Sequence, residues 1–312
     1  MRIFFRTILL TALSGIYSSA FAQPRYRIGD FMDPKLKSLS VHANMGISSY
    51  FGDLCPTGDC YTNSKFNFGI GLDRRFNDYL SVSINAQYYK LEASDAKSGS
   101  NGTIKRNLSF QANNFELSST FNFEFLNYNT FRYLSRSEFP ISMFAFAGLG
   151  FTTNNPTTEY KGEKVALRPL QTEGQSYSGI ALVIPVGLGI GYRINSQFNM
   201  SLLAGYRFTS TDYLDDVSTV YQDQTKITDQ TTKDLNYRGD EVGGPANPPY
   251  GANSKRGGSA NDGYLLVSIK AEYFLPVSPF LFRSNTQKVK KNKASLSVPT
   301  RGATPTTPTP KK

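Results

Sequence analysis

The 312-residue chain has no tryptophan, one histidine and two cysteines, and it lacks any apolar run of the roughly 20 residues that a membrane-crossing helix needs. Each shortage closes a line of explanation. With His42 as the only imidazole, a zinc site would have to be built on Cys55 and Cys60, two thiols without the further ligands the metal requires. A Ser-His-acid nucleophile would need the same histidine, and no nucleophile-elbow motif accompanies it. The longest apolar stretch, Gly179 to Tyr192, contains Pro185, Gly187, Gly189 and Gly191, which weaken a helix and suit extended chain. Acids are absent after Phe274, where the last 38 residues carry eight bases. Arg2 and Arg6 fall in an expected leader, so the net charge of +10 reduces to a central region of net charge zero. No basic stripe with interleaved aromatics is left to hold a phosphate backbone, which argues against nucleic acid as a partner.

What the chain does have is period-two alternation. Eight segments, 39–47, 64–74, 79–91, 108–126, 139–151, 179–194, 197–209 and 263–274, place apolar residues on one face and small or polar residues on the other. In the seventh, Phe198, Met200, Leu202, Ala204, Tyr206 and Phe208 oppose Asn199, Ser201, Gly205 and Arg207. The connections between segments have 16, 4, 16, 12, 27, 2 and 53 residues, short and long in alternation. A transmembrane β-barrel has this arrangement, with short periplasmic turns and long outer loops. The expected fold is therefore all-β: an eight-stranded antiparallel transmembrane β-barrel, up-and-down, with a filled lumen and both termini periplasmic. Pro185 should interrupt a ladder or force a bulge, since a closed barrel has no edge strand for it. With tryptophan missing, tyrosines such as Tyr88, Tyr89, Tyr192 and Tyr273 must form the interfacial girdles.

By parity the inward charges are Asp73, Arg75, Glu116, Glu124, Arg193, Arg207, Lys270 and Glu272, with His42 also inside. Four acids against four bases suggest an ionic lumen network, because unpaired charges away from bulk water are costly. The acids Asp212, Asp215, Asp216 and Asp223 lack the spacing of a calcium loop and read as a solvated face. The 53-residue connection contains Gly243-Gly244-Pro245 and Gly257-Gly258, so much of it is expected to be mobile.

The ends set the address. Arg2 and Arg6, the apolar stretch from Thr7 to Tyr17 and the Ala20-Phe21-Ala22 site read as a signal peptide cut between Ala22 and Gln23. No cysteine follows the cut, which argues against a lipoprotein. The expected organisation is a signal peptide over 1–22, a periplasmic segment over 23–38, the barrel over 39–274, and a basic Thr/Pro/Lys-rich disordered periplasmic tail over 275–312. In an exported protein, Cys55 and Cys60, flanking Pro-Thr-Gly-Asp, suit a small disulfide ring.

Four loop segments carry a resemblance. Gly46-Ile-Ser-Ser-Tyr-Phe-Gly-Asp-Leu54, Pro169-Leu-Gln-Thr-Glu-Gly-Gln175, Thr211-Asp-Tyr-Leu-Asp-Asp-Val-Ser-Thr-Val-Tyr221, and the stretch from Arg256 to Tyr264 resemble, in order, motifs of a Bacteroidota outer-membrane barrel family. That family includes the type IX secretion protein PorG. Ser49 stands where its first motif has Asn, and the basic tail is outside its pattern. The resemblance implies a non-enzymatic barrel embedded in outer-membrane lipid, linked to a periplasmic ring of the PorK lipoprotein and PorN. It does not imply catalysis, and the residues identify no cofactor and no small-molecule substrate. The alternative from the residues alone is a surface barrel that binds an extracellular ligand through its long loops.

Overall fold

In a computed structural model, the protein is described over residues 39–55, 61, 63–97, 106–127, 140–195, 197–244 and 253–275. The expected signal peptide with Ala22 and Gln23, the segment 23–38, Cys60, most of the connection 127–138 and the tail beyond 275 lie outside the described residues.

Ten strands form among the described residues: β1 (Leu39–Phe51), β2 (Lys65–Arg75), β3 (Leu80–Ser94), β4 (Ser109–Leu126), β5 (Ile141–Thr153), β6 (Thr157–Tyr160), β7 (Glu163–Ala166), β8 (Ile180–Arg193), β9 (Phe198–Thr209) and β10 (Gly263–Phe274). Eight of them close into an antiparallel barrel, each pairing with its sequence neighbour except that β8 follows β5 and β10 returns to β1. Register explains why the pattern closes. Val41, Ala43, Met45 and Ile47 on β1 face Leu72, Ile70, Phe68 and Phe66 on β2. On their other side the same four face Tyr273, Ala271, Ile269 and Val267 on β10. A one-residue slip would turn every one of these inward. The result is an apolar outer belt that includes Met45 and Phe121, each 69% exposed, while Ser40, His42, Asn67, Ser83, Glu116 and Thr120 point inward and are buried. No helix among the described residues is long and apolar enough to cross a membrane.

Two tight turns between barrel strands are held by asparagine. Asn77 Oδ1 accepts from the amides of Tyr79 and Leu80, both at 2.8 Å, and Asn195 Oδ1 does the same for Gln197 and Phe198. Pro185 interrupts the ladder as its chemistry requires. The β5–β8 pairing runs to Ala147↔Val186 and resumes at Gly150↔Val183 in the same register, so pairs are missing without a bulge. A register shift does occur on β4 at Glu124/Leu126.

Three elements depart from the sequence expectation. The hairpin β6–β7 folds inside the 27-residue connection, around Lys161 and Gly162, both at positive φ, the two-residue turn that suits a twisted hairpin. A short helix α1 (Gln230–Asn236) forms in the last connection, with Asp229 capping the amide of Thr232 at 2.7 Å. Most of that connection, expected to be mobile, is packed instead: Leu214, Val217 and Leu235 are buried against Leu91 of β3, Phe110 of β4 and Leu108 just before it. Apolar burial orders it despite the glycines.

Candidate functional site: a filled lumen and its cap

Inside the barrel the charges sit in pairs. Arg75 Nη2 lies 2.6 Å from Glu124 Oε1, and Arg207 Nε lies 3.4 Å from Glu116 Oε2. Lys270 Nζ is 3.5 Å from Asp73 Oδ2, which also meets His42 Nδ1 at 2.6 Å. Glu272 accepts from Ser40 Oγ at 2.5 Å and Asn199 Nδ2 at 3.2 Å. Arg193 keeps the inward parity but sits exposed at the short-turn end, apart from these pairs. Two small voids remain among the described residues, about 50 and 20 Å³, both bordered by Asn122, Phe144 and Lys270. They have room for a few ordered waters and no more.

Sequence parity does not anticipate the aromatic filling. Phe144 and Phe146 point inward, and they fit because glycines face them. A Cβ on Gly189 would collide with Phe144 Cζ, and one on Gly187 with Phe146 Cζ. Tyr89, expected in a girdle, is also turned inward and fully buried. Its ring stacks on Tyr264 at 4.5 Å, the Tyr89 hydroxyl meets Thr152 Oγ1 at 2.5 Å, and the Tyr264 hydroxyl donates to Glu116 at 2.8 Å. This tyrosine pair floors the cap.

His42 and Ser83 do not make a nucleophile. Both bond the same carboxylate, Asp73, so the histidine is not placed to take the serine proton. Among the described residues no group of three or more His, Cys, Asp or Glu is placed to hold a metal. Cys55 is half-buried and is not a free thiol, while Cys60 lies outside the described residues.

Above the tyrosines, the long connections converge. Arg256 donates to Glu173 Oε1 at 3.0 Å, to the Asp216 carbonyl at 2.5 Å and to the Asn236 carbonyl at 3.2 Å. Glu173 also accepts the amides of Ser218 and Thr219 at 2.9 and 3.1 Å. Asp216, in a left-handed conformation at φ 66°, accepts from Thr172 at 2.6 Å and Tyr177 at 2.7 Å. Arg106 forks onto Asp95 with two 2.7 Å bonds and reaches the carbonyls of Asp53 and Arg256. Asp53 in turn accepts the Gly258 amide at 2.6 Å. Tyr50 at the top of β1 meets both Asp215 and Asp262. Each of the four loop motifs contributes to this buried assembly.

The acids expected to be solvated are therefore mostly not. Asp215 and Asp216 are buried, and Asp212 and Asp223 are half-buried, the Asp223 carboxylate accepting from Thr225. Burial raises the carboxyl pKa of Asp215 and Asp216 above the ordinary range and pushes Asp212 up to about 6. Spacing along the chain could not reveal this, because Arg256 is 83 residues from Glu173.

The matched family model is that of a domain of unknown function, DUF6089, and it covers residues 31–233. The chain belongs to that family. The matched span takes in β1 to β9 and ends within α1, leaving β10 beyond it. No curated protein matches the chain. Among solved structures it is similar to Neisserial surface protein A, at 11% identity and TM-score 0.38 over 76% of this chain and 97% of that one. It is similar also to a major outer membrane protein from Thermus thermophilus, at 12% identity and TM-score 0.36 over 76% and 98%. The outer membrane protease OmpT from Escherichia coli is matched at 9% identity and TM-score 0.33 over 76% and 97%. The barrel assignment rests on the closed ring of strand pairs.

Proposed function

We propose that the protein is a non-enzymatic bacterial outer-membrane β-barrel and a PorG-like component of type IX secretion. The observation that carries the membrane reading is the apolar belt around a lumen of paired charges. Outward Ile, Leu and Phe in such numbers have a favourable environment only in lipid. A lumen filled in this way favours a scaffold over a conduit or a catalyst. In this reading the short turns face the periplasm and dock ring proteins of the PorK and PorN kind, and the long loops face outward.

The secretion role is supported by the resemblance of four loop segments, now brought together in one cap. Deleting the gene and assaying secreted cargo tests it, with loss of secretion expected and normal secretion ruling it out. Co-purification of the full chain with PorK- and PorN-like proteins is the expected companion result.

A second reading, an extracellular ligand bound through the long loops, is favoured by the folded state of the cap, since an ordered surface loses less entropy on binding than a loose loop. The buried motif residues would shape that surface without touching the ligand. Loss of surface binding after loop replacement over 210–262, with secretion intact, would support it.

A further inference from the structure

The Tyr50 hydroxyl oxygen lies 2.6 Å from Asp215 Oδ2 and 2.8 Å from Asp262 Oδ1. A phenol has one hydrogen and can donate to only one of them. The other contact, between two bare acceptors, would be repulsive at that distance unless the second carboxyl brings its own proton and donates to the phenol oxygen. Both outer carboxylate oxygens are already occupied: Asp215 Oδ1 accepts the Val217 amide and Asp262 Oδ2 the Leu214 amide, each at 2.9 Å. The extra proton therefore belongs on an oxygen facing Tyr50.

No cation neutralises the pair directly. Neither carboxylate has a salt bridge among the described residues. Arg106, from the segment before β4, acts on Asp215 electrostatically, but its hydrogen bonds go to Asp95 and to the carbonyls of Asp53 and Arg256. The other groups facing the pair are Asp53 after β1, Asp212 in the same loop and Tyr206 on β9, none of which brings positive charge. Burial raises both carboxyls well above the ordinary range, and their mutual charge adds to this for Asp262.

We propose that a proton shared across Asp215, Tyr50 and Asp262 latches the cap to the barrel, and that the latch releases as pH rises. Tyr50 lies on β1, Asp215 within the 210–262 connection and Asp262 at its end, immediately before β10, so the shared proton ties the cap to the seam between the two strands. Because the folded carboxyls hold their proton more tightly than free ones, the stabilisation is full in acid and is lost as pH climbs through the raised values. Loss of the proton leaves two like charges on one phenol.

The test is hydrogen exchange of the amides over 211–221 in the full chain in detergent, corrected for intrinsic rates, at about pH 6 and pH 9. Exchange is expected to be about tenfold faster at the higher pH, the effect of one unit of proton linkage. Asp262→Asn supplies an N–H to the phenol without a titrating proton, and it should stay slow at both values. Infrared spectra at neutral pH should show a protonated-carboxyl band in the wild type that is missing from Asp262→Asn. Equal exchange at both pH values, a pH effect surviving in the variant, or no such band in the wild type would each overturn the proposal. If Asp262→Asn does not assemble, Asp215→Asn, which likewise offers an N–H to the phenol without a titrating proton, takes its place with the same expected outcomes.

Discussion

Arg256 is the residue on which the cap depends most, since its guanidinium ties Glu173 of one connection to Asp216 and Asn236 of another, and its side chain is 2% exposed against 1% for Glu173. Replacing it with alanine leaves Glu173 buried without its cation, which costs about 3–5 kcal/mol. The expected outcome is faster hydrogen exchange across 211–221 and 230–236 with the barrel amides unchanged. Turn asparagines act more weakly. Asn77→Ala removes two hydrogen bonds at an exposed turn, worth roughly 0.5–1.5 kcal/mol each, and it should lower the denaturant midpoint without loss of assembly. At this scale the sequence is informative where period two applies: seven of the eight inward charges occupy the lumen, and only Arg193 lies at its mouth. The cap carboxylates escape such a reading because their partners come from distant connections, and no local spacing encodes such a meeting.

Among the elements, β5 and β8 are matched by size. Phe144 and Phe146 occupy the space left by Gly187 and Gly189, and alanine at Gly189 has nowhere to go unless the Phe144 ring moves. Gly189→Ala is expected to cost about 1–3 kcal/mol, and Phe144→Leu in the same chain should recover part of it. Double-mutant unfolding measurements would show that coupling. On the opposite face, Leu188→Arg places a charge in the middle of the apolar belt, for which a cost of about 2–4 kcal/mol applies at the bilayer midplane. Reduced heat-modifiable migration on gels is the readout. All eight barrel strands are legible from alternation, with ends that shift by a few residues. The β6–β7 hairpin escapes because its strands have only four residues each; its signal is Lys161-Gly162, a two-residue turn between short β-prone runs.

For the whole molecule, a lumen with two small voids among the described residues and a cap above it should not pass ions. Planar-bilayer recordings of the full chain are expected to show no stable open state, and a large steady conductance would contradict the filled-lumen reading. Class and membrane habit can be read from the sequence because they follow from connection lengths and parity, properties of the chain as a string. That the four motifs form one assembly cannot be read there, because it depends on which loops the closed ring brings together.

Closure of that ring has a kinetic side. Tyr50 lies at the upper end of the pairing between the first and last strands, directly opposite Tyr264, and Asp262 stands at the entrance to β10. Tyr50 and Asp262 meet only when β1 and β10 have zipped. A chain still open at this seam keeps the packing of its lid on β3 and β4 but lacks this tie, so the lid gains its last hold only when the seam shuts. An assembly intermediate would thus carry a lid not yet fixed to the seam, and a reporter beside Tyr50 would record the moment the barrel shuts.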